Sequence, residues 1–247
     1  MPFNNISTRM PNGVTNAAPY QTMANYGAPD PTWSHQFVDD FDSLSTTSFT
    51  TNVVGSGTFA LTAGNGGFAT LTTSSGTGDS VQVQKPVGTF IMTSGEETFF
   101  KFSGILGDTI NEEFYCGLIA TSTTPLIASD GLYIQKAPGG NTLQLMSVVG
   151  GVTTIAAFPS NQTLTANVRF EVGFHVDALG NVEAFYNPST GAPGNATSAQ
   201  SRQGRSVALY APGVTQALLN PSFGLLNAGT AAVHTLAVDY VVAAVTR

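Results

Sequence analysis

Charged residues are scarce in this chain of 247 residues, of which they make up only 9%, against about 25% in ordinary soluble domains. Eight Lys and Arg residues face 15 Asp and Glu residues, giving a formal net charge of -7. The basic residues form no run, so the clustered positive surface that neutralises nucleic-acid phosphates is missing. We predict no nucleic-acid partner, and a weakly charged surface that suits extensive protein contacts.

Cysteine and long apolar runs are also lacking. The single cysteine, Cys116, excludes an internal disulfide framework, and its setting in FYCGLIA predicts a small buried side chain. No run of about 18 apolar residues occurs, so we predict no segment that spans a membrane. The N-terminal residues have no basic start followed by an apolar stretch, so we predict no signal peptide.

Residues 1–35 differ in composition from the rest of the chain. Prolines at positions 2, 11, 19, 29 and 31 preclude a long helix and discourage a central strand. We predict an extended N-terminal arm over residues 1–35 that orders against its own body or against a neighbouring subunit. Its predicted anchors are the aromatic residues Phe3, Tyr20, Tyr26 and Trp33. For Trp33, a lid over the core is favoured over a platform that stacks on a sugar.

Strand-like segments separated by turn signals fill the chain from Gln36 onward. About fourteen candidates occur with turns roughly every 8–12 residues, which is typical of an antiparallel sandwich or barrel. The clearest is the hairpin from Arg169 to Asn187, where Asp177 is predicted to cap the turn by an Asx hydrogen bond. TFIMT, residues 89–93, is another candidate strand, and residues 213–219 are the one short helix candidate. We predict a single all-β domain over residues 36–247.

Carboxylates that could hydrolyse a glycosidic bond are poorly placed. Glu112 and Glu113 are adjacent, as are Glu96 and Glu97, so on a strand each pair points to opposite faces. Counted outward from the turn, Glu171 and Glu183 are not directly opposite one another in the hairpin. A glycanase needs a matched pair of carboxylates, so we predict no catalytic residues and keep Glu171 and Glu183 as the candidates of a minor alternative.

Metal ligands are equally sparse. Asp39, Asp40 and Asp42 form the densest acidic cluster, but Phe41 interrupts it and a calcium loop normally supplies glycine and further carboxylates. The three histidines, His35, His175 and His234, are isolated and lack the spacing of a zinc site. We predict no metal site and no cofactor.

A family resemblance rests on short motifs. The turn Asp177-x-x-Gly180-Asn181 followed by FYNP at 185–188 resembles the hairpin of concanavalin A-like, or laminin-G-like, sandwiches. With the opening FVDDFDSL, the closing LAVDYVVAAVTR and the low charge, the chain is similar to capsid decoration (cement) proteins of tailed bacteriophages. The resemblance covers residues 36–247, and the metal and sugar ligands of lectins do not transfer to any single loop here.

The resemblance implies a non-enzymatic structural protein on the exterior of a virion, made in the host cytoplasm. Its expected partners are the major capsid protein and further copies of itself, with a trimer favoured, and multivalent contacts would stabilise the capsid. The alternative is a carbohydrate-binding sandwich, either a lectin or a phage receptor-binding module. That alternative predicts exposed aromatic residues on a sheet face or loop rim, with Tyr133, Tyr186 and Tyr210 as candidates.

Overall fold

The structure, a computed structural model, describes residues 34–44, 47–62, 67–93, 95–125, 128–157, 163–188, 205–206, 217–229 and 231–246. The predicted arm anchors Phe3, Tyr20, Tyr26 and Trp33 lie outside these residues, as does Tyr210. In the part of the chain described, no helix is long and apolar enough to cross a membrane. The prediction of an all-β chain is confirmed.

Fifteen strands make up the described fold. They are β1 (Ser34–Asp39), β2 (Thr50–Val54), β3 (Thr58–Thr62), β4 (Phe68–Thr72), β5 (Ser80–Gln84), β6 (Thr98–Leu106), β7 (Glu112–Ala120), β8 (Gly131–Lys136), β9 (Leu143–Val149), β10 (Val152–Ala157), β11 (Arg169–Val176), β12 (Val182–Pro188), β13 (Arg205–Ser206), β14 (Leu219–Asn227) and β15 (Thr235–Thr246).

The strands form two antiparallel sheets. The eight-stranded sheet has the order β13-β12-β11-β6-β15-β4-β3, with β1 also paired to β15, and the seven-stranded sheet has the order β10-β9-β8-β7-β14-β5-β2. Alternate residues of each strand point inward, and those side chains form one continuous hydrophobic core. The predicted antiparallel β-sandwich is therefore confirmed.

Phenylalanines fill one part of the core. The ring of Phe223 contacts the rings of Phe41, Phe49, Phe59 and Phe102, with centroids 5.7 to 6.3 Å apart. Phe41 reaches this cluster from the segment after β1 with a φ of 54°, a left-handed conformation that ends the strand. The predicted burial of Cys116 is confirmed, since its side chain is fully buried.

The last strand occupies the middle of its sheet. β15 pairs along one side with β6, with an irregularity in register between Val238 and Tyr240. Its other side is shared, because residues 235–238 pair with β4 and residues 241–246 pair with β1. In this arrangement Ser34 lies opposite Thr246, so the first and last described strands are neighbours.

The β11–β12 hairpin has the predicted form. Asp177 Oδ1 accepts hydrogen bonds from the backbone amides of Leu179 and Asn181, at 2.9 and 2.8 Å, and Gly180 adopts a φ of 84°. Burial opposes ionisation of Asp177, but these bonds and one from the Asn181 side chain together outweigh it and lower the pKa of Asp177. The turn prediction is confirmed.

Two local predictions need correction. Residues 89–93 form no strand, because β5 and β7 already flank β14 and only Leu219 at its start is open to Phe90, through one isolated bridge. In the predicted helix over 213–219, residues 213–216 lie outside those described. Leu219 is not helical, since it begins β14 and pairs with Ala120.

Candidate functional site

Strand register places a row of amide side chains and tyrosines on the outward face of the seven-stranded sheet. Val81, Val83, Cys116 and Phe223 belong to the core, so the residues that alternate with them point outward. Six outward residues, one on each strand of this sheet from β2 to β9, pair directly across neighbouring strands and form one row. Outward residues two positions along the same strands form a second row beside it. The amide–tyrosine face, as we name it, consists of Asn52, Gln82, Gln84, Glu113, Tyr115, Tyr133, Gln135, Gln144 and Ser222.

Two glycines give the tyrosines their positions. Tyr115 lies opposite Gly224 on β14, where an added Cβ would come within 2.5 Å of the ring, and Tyr133 lies opposite Gly117, where it would come within 2.4 Å of Cβ of Tyr133. The tyrosine rings are 6.0 Å apart in an edge-to-face arrangement. Tyr115 is buried and Tyr133 half-buried, so Tyr133 is the ring that a ligand can reach.

Hydrogen bonds fix the amide groups at one end of the face. Gln84 Nε2 donates to Ser222 Oγ at 3.0 Å, and its Oε1 accepts from the Ser122 amide at 3.1 Å. Asn52 Nδ2 donates to the Ser122 carbonyl at 2.7 Å. The loop after β7 is therefore tied across β14 to β5 and β2, and it forms a rim to this end of the face.

Only one carboxylate lies on the amide–tyrosine face among its described residues. Burial raises the pKa of Glu113, and a hydrogen bond from Gln135 Nε2 partly opposes this. Burial, and then Glu113, raise the pKa of the Tyr133 phenol, so that group remains neutral at physiological pH. The face is thus polar but carries at most one charge.

The outward face of the eight-stranded sheet is different, because ion pairs run across it. Glu171 accepts a hydrogen bond from Tyr240 OH at 2.9 Å and lies 3.3 Å from Lys101 Nζ. Arg169 forms an ion pair with Asp239 and donates from Nε to Ser103 Oγ at 3.0 Å. These groups are linked to one another across β6, β11 and β15, as in a structural network.

The hydrolase candidates are not brought together. Glu171 pairs with Asn187 and Glu183 with His175, as the count from the turn predicted. The two glutamates are therefore offset by four positions along the strand, about 13 Å. That separation exceeds the roughly 5 to 9.5 Å between the carboxylates of glycosidases.

A buried ionic cluster lies at one end of the sandwich. Glu112 and Lys136 are fully buried, and the Lys136 ammonium donates to the Glu112 carbonyl. His234 Nδ1 is 3.7 Å from both Glu112 Oε2 and Asp108 Oδ2. Burial raises the pKa of Glu112 to about 8 although Lys136 opposes this, and burial lowers the pKa of Lys136.

The acidic residues at the end of β1 and just after it accept hydrogen bonds from the backbone. Asp39 Oδ1 accepts from the Phe41 amide at 2.9 Å, and Asp40 Oδ1 accepts from the Asp42 amide at 3.5 Å. Since Phe41 turns into the core between them, the three carboxylates do not converge. Over the described ranges, no group of three or more His, Cys, Asp or Glu side chains is arranged to hold a metal ion.

The histidines contact aromatic rings or carboxylates. His35 packs against Phe90 with ring centroids 4.8 Å apart. His175 stacks on Phe99 at 4.1 Å, and its Nε2 is 3.5 Å from Glu97 Oε2. Burial lowers the pKa of His175, and Glu97 opposes that effect. These two histidines therefore have packing partners of their own.

Of the candidate sugar-binding tyrosines, Tyr133 lies on the amide–tyrosine face, whereas Tyr186 does not. Tyr186 is a core residue whose OH donates to the Thr163 carbonyl at 2.9 Å, so its predicted exposure is wrong. Gln82 and Gln84 alternate with Val81 and Val83, but no binding role was predicted for them from the sequence. Tyr115 was missed, because β7 is apolar on both faces and its pattern does not distinguish inside from outside.

No family model and no curated protein matches the chain. Solved structures do resemble it. A protein of unknown function from Shewanella oneidensis MR-1 is 14% identical with a TM-score of 0.59, and the match covers 87% of each chain. The endo-1,3-beta-glucanase of Streptomyces sioyaensis is 13% identical with a TM-score of 0.55, over 88% of this chain and 98% of that one. Peanut lectin, in complex with a nonapeptide, is 10% identical with a TM-score of 0.51, over 86% and 97%.

These likenesses establish the fold as a concanavalin A-like, lectin-type β-sandwich. The fold part of the resemblance found in the sequence is therefore confirmed. At identities this low the comparison concerns the backbone arrangement, and function has to be argued from the side chains of this chain.

Proposed function

We propose that this chain is a carbohydrate-binding β-sandwich whose ligand lies on the amide–tyrosine face. The observation that carries the proposal is the half-buried Tyr133 with the half-buried amides of Gln135 and Gln144 beside it, while Gln82 and Tyr115 of the same row are buried. The likeness to a lectin supports it, since this face belongs to a sandwich of the same architecture.

Sugar chemistry fits the composition of this face. An amide side chain both donates and accepts hydrogen bonds, as do the neighbouring hydroxyl groups of a pyranose. An aromatic ring such as that of Tyr133 packs on the apolar C–H face of the sugar. Glu113 is the one charged group among the described residues of the face, so we propose a neutral glycan as the ligand.

We propose binding without hydrolysis. The endo-glucanase that this chain resembles shows that the fold also serves an enzyme. However, cleavage of a glycosidic bond needs an acid and a second carboxylate on the same surface, and the described amide–tyrosine face supplies only Glu113. Glu171 and Glu183 lie on the other sheet, and Glu171 is held by Lys101 and Tyr240.

Replacing Tyr133 by Ala tests the proposal. We expect the protein to bind at least one neutral oligosaccharide on a glycan array, and Tyr133→Ala to weaken that binding about tenfold because it removes the stacking ring. Titration calorimetry with the oligosaccharide gives the dissociation constants. Tyr133→Phe keeps the ring and should bind within about threefold of wild type.

Ile155→Ala is the matched control, because it also removes a large exposed side chain but leaves Tyr133 in place. Ile155 is exposed on β10 at the margin of the same face. It should bind like wild type. An array without a neutral-glycan signal, or undiminished binding by Tyr133→Ala, would exclude the amide–tyrosine face as the site.

A second candidate function, which we also propose, is decoration of a bacteriophage capsid, with the major capsid protein as partner and a trimer as the assembly. It is favoured by the exposed and uncharged strands β2 and β3, which suit protein contacts.

We expect the purified chain to co-sediment with capsids of its host phage and a variant without residues 1–30 to do so at least tenfold more weakly. Equal co-sedimentation of both would exclude the arm as the anchor, and no co-sedimentation of the full chain would exclude the function.

A further inference from the structure

Strand β3 is an edge of the eight-stranded sheet and is mostly exposed. Among the described strands it pairs only with β4. Four of its five residues are exposed, including Leu61 at 44%. One side of its backbone therefore presents unpaired donors and acceptors to the surroundings. Such an edge is a template for a further strand.

The usual protections of an edge strand are missing from β3. Natural edges carry charged side chains, proline or a bulge that prevent pairing with another chain. Here the strand is TFALT, without charge or proline, and its register with β4 is unbroken from Thr58 to Thr62. The adjoining strand β2 is also uncharged and exposes Val53 and Val54 at 40% and 47%.

We propose that a second copy of this chain pairs with β3 in antiparallel fashion about a twofold axis at Ala60. The sequence of β3 is self-complementary in that arrangement, since Thr58 faces Thr62 of the other copy and Phe59 faces Leu61. Phe59 packs against the core, so the partner's Leu61 would extend the same inward layer. A twofold contact is isologous and uses one surface twice.

The contact joins two eight-stranded sheets into one continuous sheet. It also covers the exposed side of Leu61 and leaves the amide–tyrosine face of each copy open, because that face belongs to the other sheet. Two glycan sites in one particle would raise avidity for a polymer that carries repeated sugars. The dimer does not depend on the proposed glycan binding, and each can fail alone; it is an alternative to the trimer proposed for capsid decoration.

A cysteine at the axis tests the geometry. Ala60→Cys places two thiols on directly opposed residues, whose Cα atoms are about 4.5 to 5.5 Å apart in an antiparallel pair, a separation that a disulfide spans. The natural Cys116 is fully buried and does not compete. We expect mild oxidation to convert most of Ala60→Cys to a dimer that reductant reverses. Leu179→Cys, in the exposed turn between β11 and β12 and not on an edge strand, should remain mostly monomeric on a denaturing gel.

Charge at the same position gives a second test. Ala60→Lys and Ala60→Glu each set two like charges opposite one another, so we expect both to sediment as monomers where wild type sediments as a dimer at micromolar concentration. An equimolar mixture of the two should restore the dimer, because the opposed charges are then unlike. Circular dichroism confirms that both variants fold. A monomeric wild type, or a dimer that persists in Ala60→Lys, would overturn the proposal.

Discussion

Replacing Glu112 by Gln is expected to remove a loss of stability that wild type suffers between about pH 4.5 and pH 8. The difference in unfolding free energy between the two proteins should grow over this range by on the order of 5 kcal/mol in favour of Glu112→Gln. Burial raises the pKa of Glu112 from 4.5 to about 8. The folded state therefore holds a proton that the unfolded chain releases, and stability falls as pH rises through this window.

The fall stops above about pH 8, where Glu112 is ionised in both states. The other members of the buried ionic cluster affect the unfolding free energy in other pH ranges. The pKa of Lys136 is lowered by burial, so its contribution is a rise in stability toward alkaline pH. The pKa of Asp108 is lowered overall, since hydrogen bonds from Ile110 and Asn111 outweigh its burial, so its contribution is lost in acid.

Urea unfolding followed by circular dichroism, at half-unit steps of pH, measures the difference. A glutamine side chain at position 112 forms different hydrogen bonds from a protonated carboxyl group, which shifts the unfolding free energy by a constant amount at every pH. The test is therefore how the difference in unfolding free energy changes with pH, and not its absolute size. The comparison of Lys136→Met with Lys136→Met/Glu112→Gln removes the coupling to the lysine and should show the same sign. A difference that stays flat between pH 5 and pH 8 would refute an uncharged Glu112 in the folded protein.

Phe223→Ala should lower the free energy of unfolding by about 3 to 5 kcal/mol, as removal of a fully buried phenylalanine does in well-packed cores. Its ring contacts four others, from β3, β6 and the segment between β1 and β2. Loss of the ring therefore leaves a cavity that several backbone segments border. Since Phe41 and Phe49 belong to that segment, its attachment to the core should weaken most.

Thermal and urea unfolding both report this effect. Phe223→Leu keeps most of the volume and should cost about 1 to 1.5 kcal/mol, while Leu179→Ala, at a side chain that is 83% exposed, should change stability by less than about 0.5 kcal/mol. A cost below about 1 kcal/mol for Phe223→Ala would mean that the neighbouring rings close the cavity.

Local pattern in the sequence was enough to predict the sandwich and its best-defined turn. Asp177 and Gly180 specify their reversal through bonds to residues within four positions, and strands such as β5 alternate plainly. The TFIMT segment has the same composition as a strand. In the folded chain it meets β14 through one isolated bridge, between Phe90 and Leu219, because β5 pairs with the rest of that side of β14. Which edge is open therefore depends on the order of distant strands.

The candidate site could be predicted only in fragments for a related reason. Tyr115, Gly224 and Gln82 are separated by long stretches of chain and become neighbours through the register of β7, β14 and β5. Likewise the sequence gives no sign that Tyr240, 69 positions further on, donates a hydrogen bond to Glu171. Adjacent Glu112 and Glu113 were correctly expected to face opposite sides, but that one of them is buried beside Lys136 depends on β8.

The central position of β15 has a consequence for how the protein is made. During synthesis β6, β4 and β1 all emerge from the ribosome before the strand that joins them, so none of them has its partner in β15. The eight-stranded sheet thus closes through contacts that span most of the chain length, which favours slow folding. Until then the strand edges that β15 covers stay unpaired, which favours aggregation of the incompletely folded chain.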